Sequence, residues 1–466
     1  MLFSSMTFVF LFLPIVCLIY LLAKKELHNA ILLAASILFY AWGEPRYLAI
    51  MILTILANYV GAIALDKHKK YKKPILLATI AVDLSFLLYF KYFNFFIDNI
   101  NSIFAMDISF LEVIMPIGIS FYTFQAMSYL IDVYKGDAKV QKDIYKLALY
   151  ISLFPQLVAG PIVKYRDVDE QIDHRTVTFD KVSYGVKRFI IGLAKKMLLA
   201  NTLGAVADEI FGLPVAQASP QLAWVGAIFY SLQLFYDFSG YSDMAIGLGS
   251  IFGFKFLENF NYPYISKSIT EFWRRWHISL STWFKEYLYI PLGGNRKGNV
   301  RTYVNLFLVF LATGFWHGAS WNFIFWGLWH GVFIIFEKMT GWHKESKSRI
   351  ISGAQHIYTI FVFVIGWVMF RAENMSYATD YIKNMFGLVK EHTAVNDVSS
   401  YLDNVEMLAL IAGILCAMPV FNKILYVKYE HKVLRTLINV WLFILFVVSS
   451  ATIAASTYNP FIYFRF

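Results

Sequence analysis

The chain has 466 residues, of which 58% are hydrophobic and only 15% charged. A soluble globular chain carries roughly 45–50% apolar and about 25% charged residues, so composition excludes a water-soluble fold and reads as an all-α polytopic membrane protein. Forty-one Lys plus Arg against thirty-one Asp plus Glu leave a net +10. That excess is scattered between apolar runs, which assigns it to loops facing an anionic leaflet and excludes a nucleic-acid partner. Cys17 and Cys416 are the only cysteines; they allow neither a disulfide framework nor a Cys-based metal site.

Met1 to Ala23 lacks the basic n-region and small-residue cleavage site of a secretory signal and reads as a retained first span. Apolar runs then recur at 28–43, 47–65, 74–90, 112–132, 184–204, 221–253, 303–336, 354–370, 406–424 and 436–456. Each approaches or exceeds the ~20 residues that cross ~30 Å of hydrocarbon, so about ten or eleven membrane helices are expected, some of them broken. Lys24 and Lys25, then Lys67 to Lys73, then Lys135 to Lys146 alternate with weakly charged turns at Gly43–Arg46 and Lys91–Glu112. The positive-inside rule makes the lysine side cytoplasmic and puts the N-terminus outside. Without a long polar linker or repeat, the simplest partition is one integral domain, 1–466, with its catalytic core at about 112–340.

Two segments depart from simple spans. Tyr145 to Pro161 is interrupted by Pro155, Gly160 and Pro161, which suits a re-entrant element; such backbone survives at membrane depth only where protein or water covers it. Within Ile269–Phe284, helical spacing places Trp273, His277, Leu280 and Phe284 on one face. Headgroup anchoring accounts for Trp273, Arg274, Arg275 and Trp276 without catalysis. His277 is harder to account for in that way, because an imidazole among large apolar residues loses solvation unless it finds a partner.

Asn305 to Phe336 is too long for one crossing, and Thr313-Gly314-Phe-Trp-His317-Gly318-Ala-Ser320 is its natural break. An ionisable group there is a functional residue by default. His330 lies thirteen residues after His317, about 220° around a continuous helix, so both line one cavity only if the helix breaks between them; a structural or interfacial role is expected for it. His277, His317 and His330 lack the spacing and the accompanying carboxylate or Cys of a zinc site, and no metal is expected.

Gln233, Tyr236, Asp237, Ser239, Tyr241, Ser242 and Asp243 form a polar cluster in an apolar run. Its two carboxylates must be paired, protonated or facing water. Structural support is the expected role of Gln233, Asp237, Ser239 and Asp243; a proton site would instead make the chain a proton-coupled exporter or flippase of a lipid-linked glycan.

Membrane-embedded imidazoles without a nucleotide loop or a Gly-x-Ser-x-Gly elbow fit acyl transfer from a thioester to a hydroxyl. A neutral histidine takes the hydroxyl proton as the oxygen attacks, a contribution worth ~10²–10⁴ in rate. Substrate-tunnel candidates are Trp273, Arg274, Trp276, Ser281, Gly314, Trp316, Gly318 and Asn322, the last also a candidate oxyanion donor.

Phe272-Trp-Arg-Arg-Trp-His277-Ile-Ser-Leu-Ser-Thr-Trp-Phe284, followed by Gly314-Phe-Trp-His317-Gly, resembles the paired signature of the membrane-bound O-acyltransferase (MBOAT) family. The resemblance extends to Met115–Phe124, Leu153–Pro161, Asp237–Asp243 and Met369–Ala372. It implies an MBOAT-type bundle with re-entrant segments and a central tunnel, His317 as the catalytic residue and His277 as its assistant. Tyr287-Leu-Tyr-Ile-Pro-Leu-Gly-Gly-Asn-Arg296 resembles the branch of alginate and peptidoglycan O-acetyltransferases. The branch that passes D-alanine to teichoic acid is the alternative. The implied donor is cytosolic acetyl-CoA, a substrate and not a bound cofactor. The implied partners are a polysaccharide acceptor, membrane lipids and an extracytoplasmic SGNH-type acyltransferase. The implied location is a bacterial plasma or inner membrane.

Overall fold

The computed structural model describes residues 1–158, 160–389, 396, 398–420, 432–456, 458–460 and 462. Among them every regular element is helical. Each apolar run marked as a span carries helix; the last residues of the 406–424 run, 421–424, and Ala159 of the Leu153–Pro161 motif lie outside the described residues. Among the described residues, five helical stretches are long and apolar enough to cross a membrane: Pro45–Lys67, Lys69–Phe104, Phe179–Gly212, Arg349–Arg371 and Lys432–Ala455. Shorter apolar helices cover Phe8–Leu22 and Asn404–Cys416. The chain divides into two compact units, Met1–Phe189 with Ser242–Leu257, and Ile190–Tyr241 with Glu258–Phe466.

The first unit holds α1 (Leu13–Leu22), α2 (His28–Gly43), α3 (Leu48–Lys67), α4 (Lys72–Leu87), α5 (Phe93–Phe104), α6 (Ile119–Lys135), α7 (Ile144–Ser152), α8 (Phe154–Leu157) and α9 (Tyr165–His174), with most of α10 (Phe179–Ala194). Its core is aromatic: Phe12 and Phe39 meet Phe154 at 5.4 and 5.6 Å between ring centroids. Arg175 latches it by donating to the Tyr20 hydroxyl (3.1 Å), the Phe252 carbonyl (3.1 Å) and Asn29 Oδ1 (2.6 Å). The expected turn at Lys91–Glu112 is instead helical as far as Phe104. Phe93, Phe96, Ile97, Ile100 and Phe104 recur at helical spacing there, a period that a search for unbroken apolar runs passes over. The Tyr145–Pro161 segment breaks as expected. Leu153 leaves the helical region, Pro155 sits in the first turn of α8, and Ser36 Oγ accepts the freed Phe154 N–H at 3.0 Å.

The second unit takes α11 (Asn201–Gly212), most of α12 (Pro220–Ile251), α13 (Ile269–Arg275), α14 (Ile278–Phe284), α15 (Asn299–His317), α16 (Trp321–Thr340), α17 (Arg349–Arg371), α18 (Met375–Met385), α19 (Asn404–Cys416) and α20 (Lys432–Ala455). α15 and α16 form an antiparallel hairpin. A Cβ on Gly327 would lie 2.3 Å from the Phe310 carbonyl, and one on Gly314 2.3 Å from the Phe323 carbonyl. Two backbones so close leave room for glycine alone, which is why these two glycines, thirteen residues apart in the chain, face each other.

Candidate active site

The hairpin turn is only Gly318-Ala319-Ser320, so α15 stays helical through His317 and ends on it. Ser320 starts α16 by accepting the Asn322 N–H at 3.2 Å. The helix therefore does break between His317 and His330, and both imidazoles pack against Trp326, at 4.9 and 5.2 Å between ring centroids. The rotational argument that separates them on a continuous helix fails for this reason. His330 is fully buried, not interfacial, and boxed by Trp273 (5.2 Å), Phe272 (6.3 Å) and Trp326; neither ring nitrogen meets a hydrogen-bond partner among the described residues.

The segment carrying His277 is not one helix. Trp276 is extended and His277 adopts φ 44°, ψ 55°, so α13 stops at Arg275 and α14 starts at Ile278. The single face expected for Trp273, His277, Leu280 and Phe284 is overturned. A non-glycine residue in left-handed backbone costs about 1–2 kcal/mol and persists where the surroundings over-determine it. Here they do. The Asn259 carbonyl accepts the Ile278 N–H at 2.9 Å, Asn259 Oδ1 accepts the Ser279 N–H and hydroxyl at 3.0 and 2.9 Å, and the Arg275 carbonyl accepts the Asn261 N–H at 2.9 Å. At the other end of α13, the fully buried Glu337 of α16 accepts the Ile269 N–H (2.5 Å), the Thr270 N–H (2.9 Å) and the Thr270 hydroxyl (2.7 Å). A carboxylate on those orphan donors also complements the positive helix end.

The result is that His277 and His317 both pack against one ring. Trp316 lies 4.9 Å from His317 and 6.4 Å from His277, near-perpendicular to both. His317 is further enclosed by Phe370 at 5.2 Å, and Trp276 stacks toward Trp367 at 4.9 Å. Both histidines are buried, as are Trp273, Trp276, Gly314, Trp316 and Gly318. Ser281 is half-buried, its hydroxyl reaching the Trp276 carbonyl at 3.4 Å. Arg274 is exposed, outside this cluster, and fits the anchoring reading. Asn322 donates its amide to the Ala372 carbonyl at 2.6 Å, which commits that donor to joining α16 and the end of α17. Trp326, Trp367, Asn259 and Glu337 did not stand out in the sequence. The only signal for Glu337 is a lone carboxylate seven residues beyond His330.

The polar cluster of α12 resolves into two buried ion pairs. In the first unit Asp243 Oδ1 accepts Arg188 Nη2 at 2.6 Å. In the second, Asp237 Oδ1 meets Lys196 Nζ at 2.6 Å, Asp237 Oδ2 accepts the Ile462 N–H at 3.1 Å, and Lys196 also donates to the Pro460 carbonyl. Gln233 and Ser239 are buried beside them in sequence. Both carboxylates are thus engaged by a cation, the paired state among those burial allows.

Fold and site together define an all-helical, polytopic membrane protein with a two-histidine centre and no cluster of metal-ligating side chains among the described residues. Residues 37–378 match the membrane-bound O-acyltransferase family, and the chain belongs to it; it is an O-acyltransferase. It is 41% identical to the probable alginate O-acetylase of Pseudomonas putida over the full length of both chains. It is 36% identical to the peptidoglycan O-acetyltransferase of Helicobacter pylori, over 91% of this chain and 87% of that one. Similarity to the teichoic acid D-alanyltransferase of Bacillus subtilis is 33% over 51% of this chain and 62% of that one.

Proposed function

We propose that the protein moves an acetyl group from cytosolic acetyl-CoA to an extracytoplasmic polysaccharide, with His317 as the base. The observation that carries the reading is the pair of imidazoles that both pack near-perpendicular to Trp316 in one unit. In the proposed step, neutral His317 takes the proton of the incoming hydroxyl while its oxygen attacks the thioester carbonyl carbon. The C–S bond then breaks, the thiolate of CoA takes the proton from the imidazolium, and an acetate ester remains on the acceptor. His277 assists by orienting the acyl group. Trp273, Trp276 and Trp316 line the narrow approach and keep bulk water from the thioester; Gly314 and Gly318, closed by Phe323, serve to place His317. Lysines at the proposed cytoplasmic face attract the phosphates of CoA, which leaves the N-terminus outside.

The nature of the acceptor follows from the relatives, which act on envelope polymers by their names. The similarity to the two O-acetylating relatives spans far more of the chain than that to the D-alanyltransferase, which favours acetyl over D-alanyl. Completion of the transfer on the sugar is assigned to an SGNH-type extracytoplasmic partner, by the division of labour the family resemblance implies. Mass spectrometry of cell-surface glycan from cells with and without the chain tests the reading. O-acetyl ester that disappears with the chain and returns with its expression is expected; unchanged ester content contradicts it.

A further inference from the structure

We infer that Asn259 is a positioning residue for His277, acting through the turn that presents the imidazole to Trp316. This inference rests on the reading of His277 as the assisting group. His277 is one of three non-glycine residues with left-handed backbone among the described residues, the others being Ala105 and Tyr262. Such a residue reverts to extended or right-handed backbone unless its neighbours forbid it. Reversion here would straighten Ile269–Phe284 toward one helix and swing the imidazole away from Trp316.

What forbids it is a short stretch of chain, Asn259-Phe260-Asn261, lying beside Arg275–Ser279. Asn259 supplies three of its hydrogen bonds: its carbonyl holds Ile278, and its side-chain oxygen holds both donors of Ser279. These are the N–H groups that the start of α14 leaves without intrahelical partners. Phe260 then lies against Trp276 at 5.1 Å and His277 at 6.2 Å, and Asn261 closes the far side on Arg275 through the bond already described. Asn259 is 2% exposed, so water cannot replace its side-chain oxygen if that oxygen is removed. Geometry explains the residue type: one buried acceptor on a short side chain must serve two donors on the next segment.

The test measures CoA release from acetyl-CoA by the purified full chain supplied with its SGNH-type partner and a glycan acceptor. Asn259→Leu keeps the size and removes the acceptor. It is expected to lower kcat on the order of 10- to 100-fold, with the KM for acetyl-CoA unchanged, because a misplaced assisting group costs turnover and not donor binding. Asn259→Asp restores an acceptor of the same shape and recovers most of the turnover. Added to His277→Ala, Asn259→Leu produces no further loss, since both changes remove the same contribution. Wild-type kcat in Asn259→Leu, or losses that multiply in the double variant, overturns the inference while leaving the role of His277 intact. Wild-type kcat in His277→Ala removes that role, and the inference with it. Ser279→Ala, which deletes one of the three bonds, keeps the idea testable if Asn259→Leu does not fold. A two- to tenfold loss, about the net worth of one hydrogen bond, is expected, and full activity counts against it.

Discussion

The two histidines pack against the same tryptophan, yet the chain holds them by different means. His317 ends a regular helix whose place is set by two glycines that let α15 and α16 touch backbone to backbone. His277 sits in a left-handed kink between two seven-residue helices, fixed by hydrogen bonds that Asn259 and, at the far end of α13, Glu337 accept. Close packing is insensitive to solvent and tolerates no added atom. A hydrogen-bonded clamp tolerates changes of size and fails when an acceptor is lost. The base is therefore placed by shape and its assistant by polar geometry.

The comparison can be broken most decisively at His317. His317→Ala is expected to lower the acetyl ester content supported by the protein by ~10²–10⁴, the worth of a general base, with unchanged protein level in the membrane. His277→Ala should cost about 10², because the base remains in place; equal or greater loss than at His317 would exchange the two roles. Gly327→Ala puts a methyl group 2.3 Å from the Phe310 carbonyl. It should destabilise the detergent-purified protein by about 1–3 kcal/mol, seen as a lower melting temperature, and reduce turnover as His317 shifts. Replacing Glu337 by Gln leaves an acceptor but removes the charge from the start of α13. A loss of about 0.3–1 kcal/mol is expected there, smaller than at Gly327. Arg274→Gln, at an exposed position outside the cluster, should change stability by less than about 0.5 kcal/mol and leave transfer intact.

Much of this was legible in the sequence, and the reasons differ by element. The break after His317 was readable because glycines and a Ser N-cap are local signals. The carboxylates of α12 announced that they needed partners, but Lys196 and Arg188 stand 41 and 55 residues away in the chain, and nothing local connects them. The kink at His277 was not legible. Its neighbours have ordinary helical periodicity, and the residues that break the helix are Asn259 and Asn261, whose hydrogen bonds exist only once the chain has folded back. The interfacial alternative for His330 failed for a related reason, its burial leaving the structural one: a rotational argument on a continuous helix cannot see a three-residue turn that folds the second half onto the first.

The account depends most on the imidazole of His317. Purified wild-type protein and His317→Ala, each reconstituted in lipid vesicles with the SGNH-type partner and supplied with isotopically labelled acetyl-CoA and a glycan acceptor, give the most direct comparison. Label should move to acceptor hydroxyls with matching release of CoA in the wild type, and fall by at least about a hundredfold in the folded variant. Equal labelling by the two proteins would contradict the account.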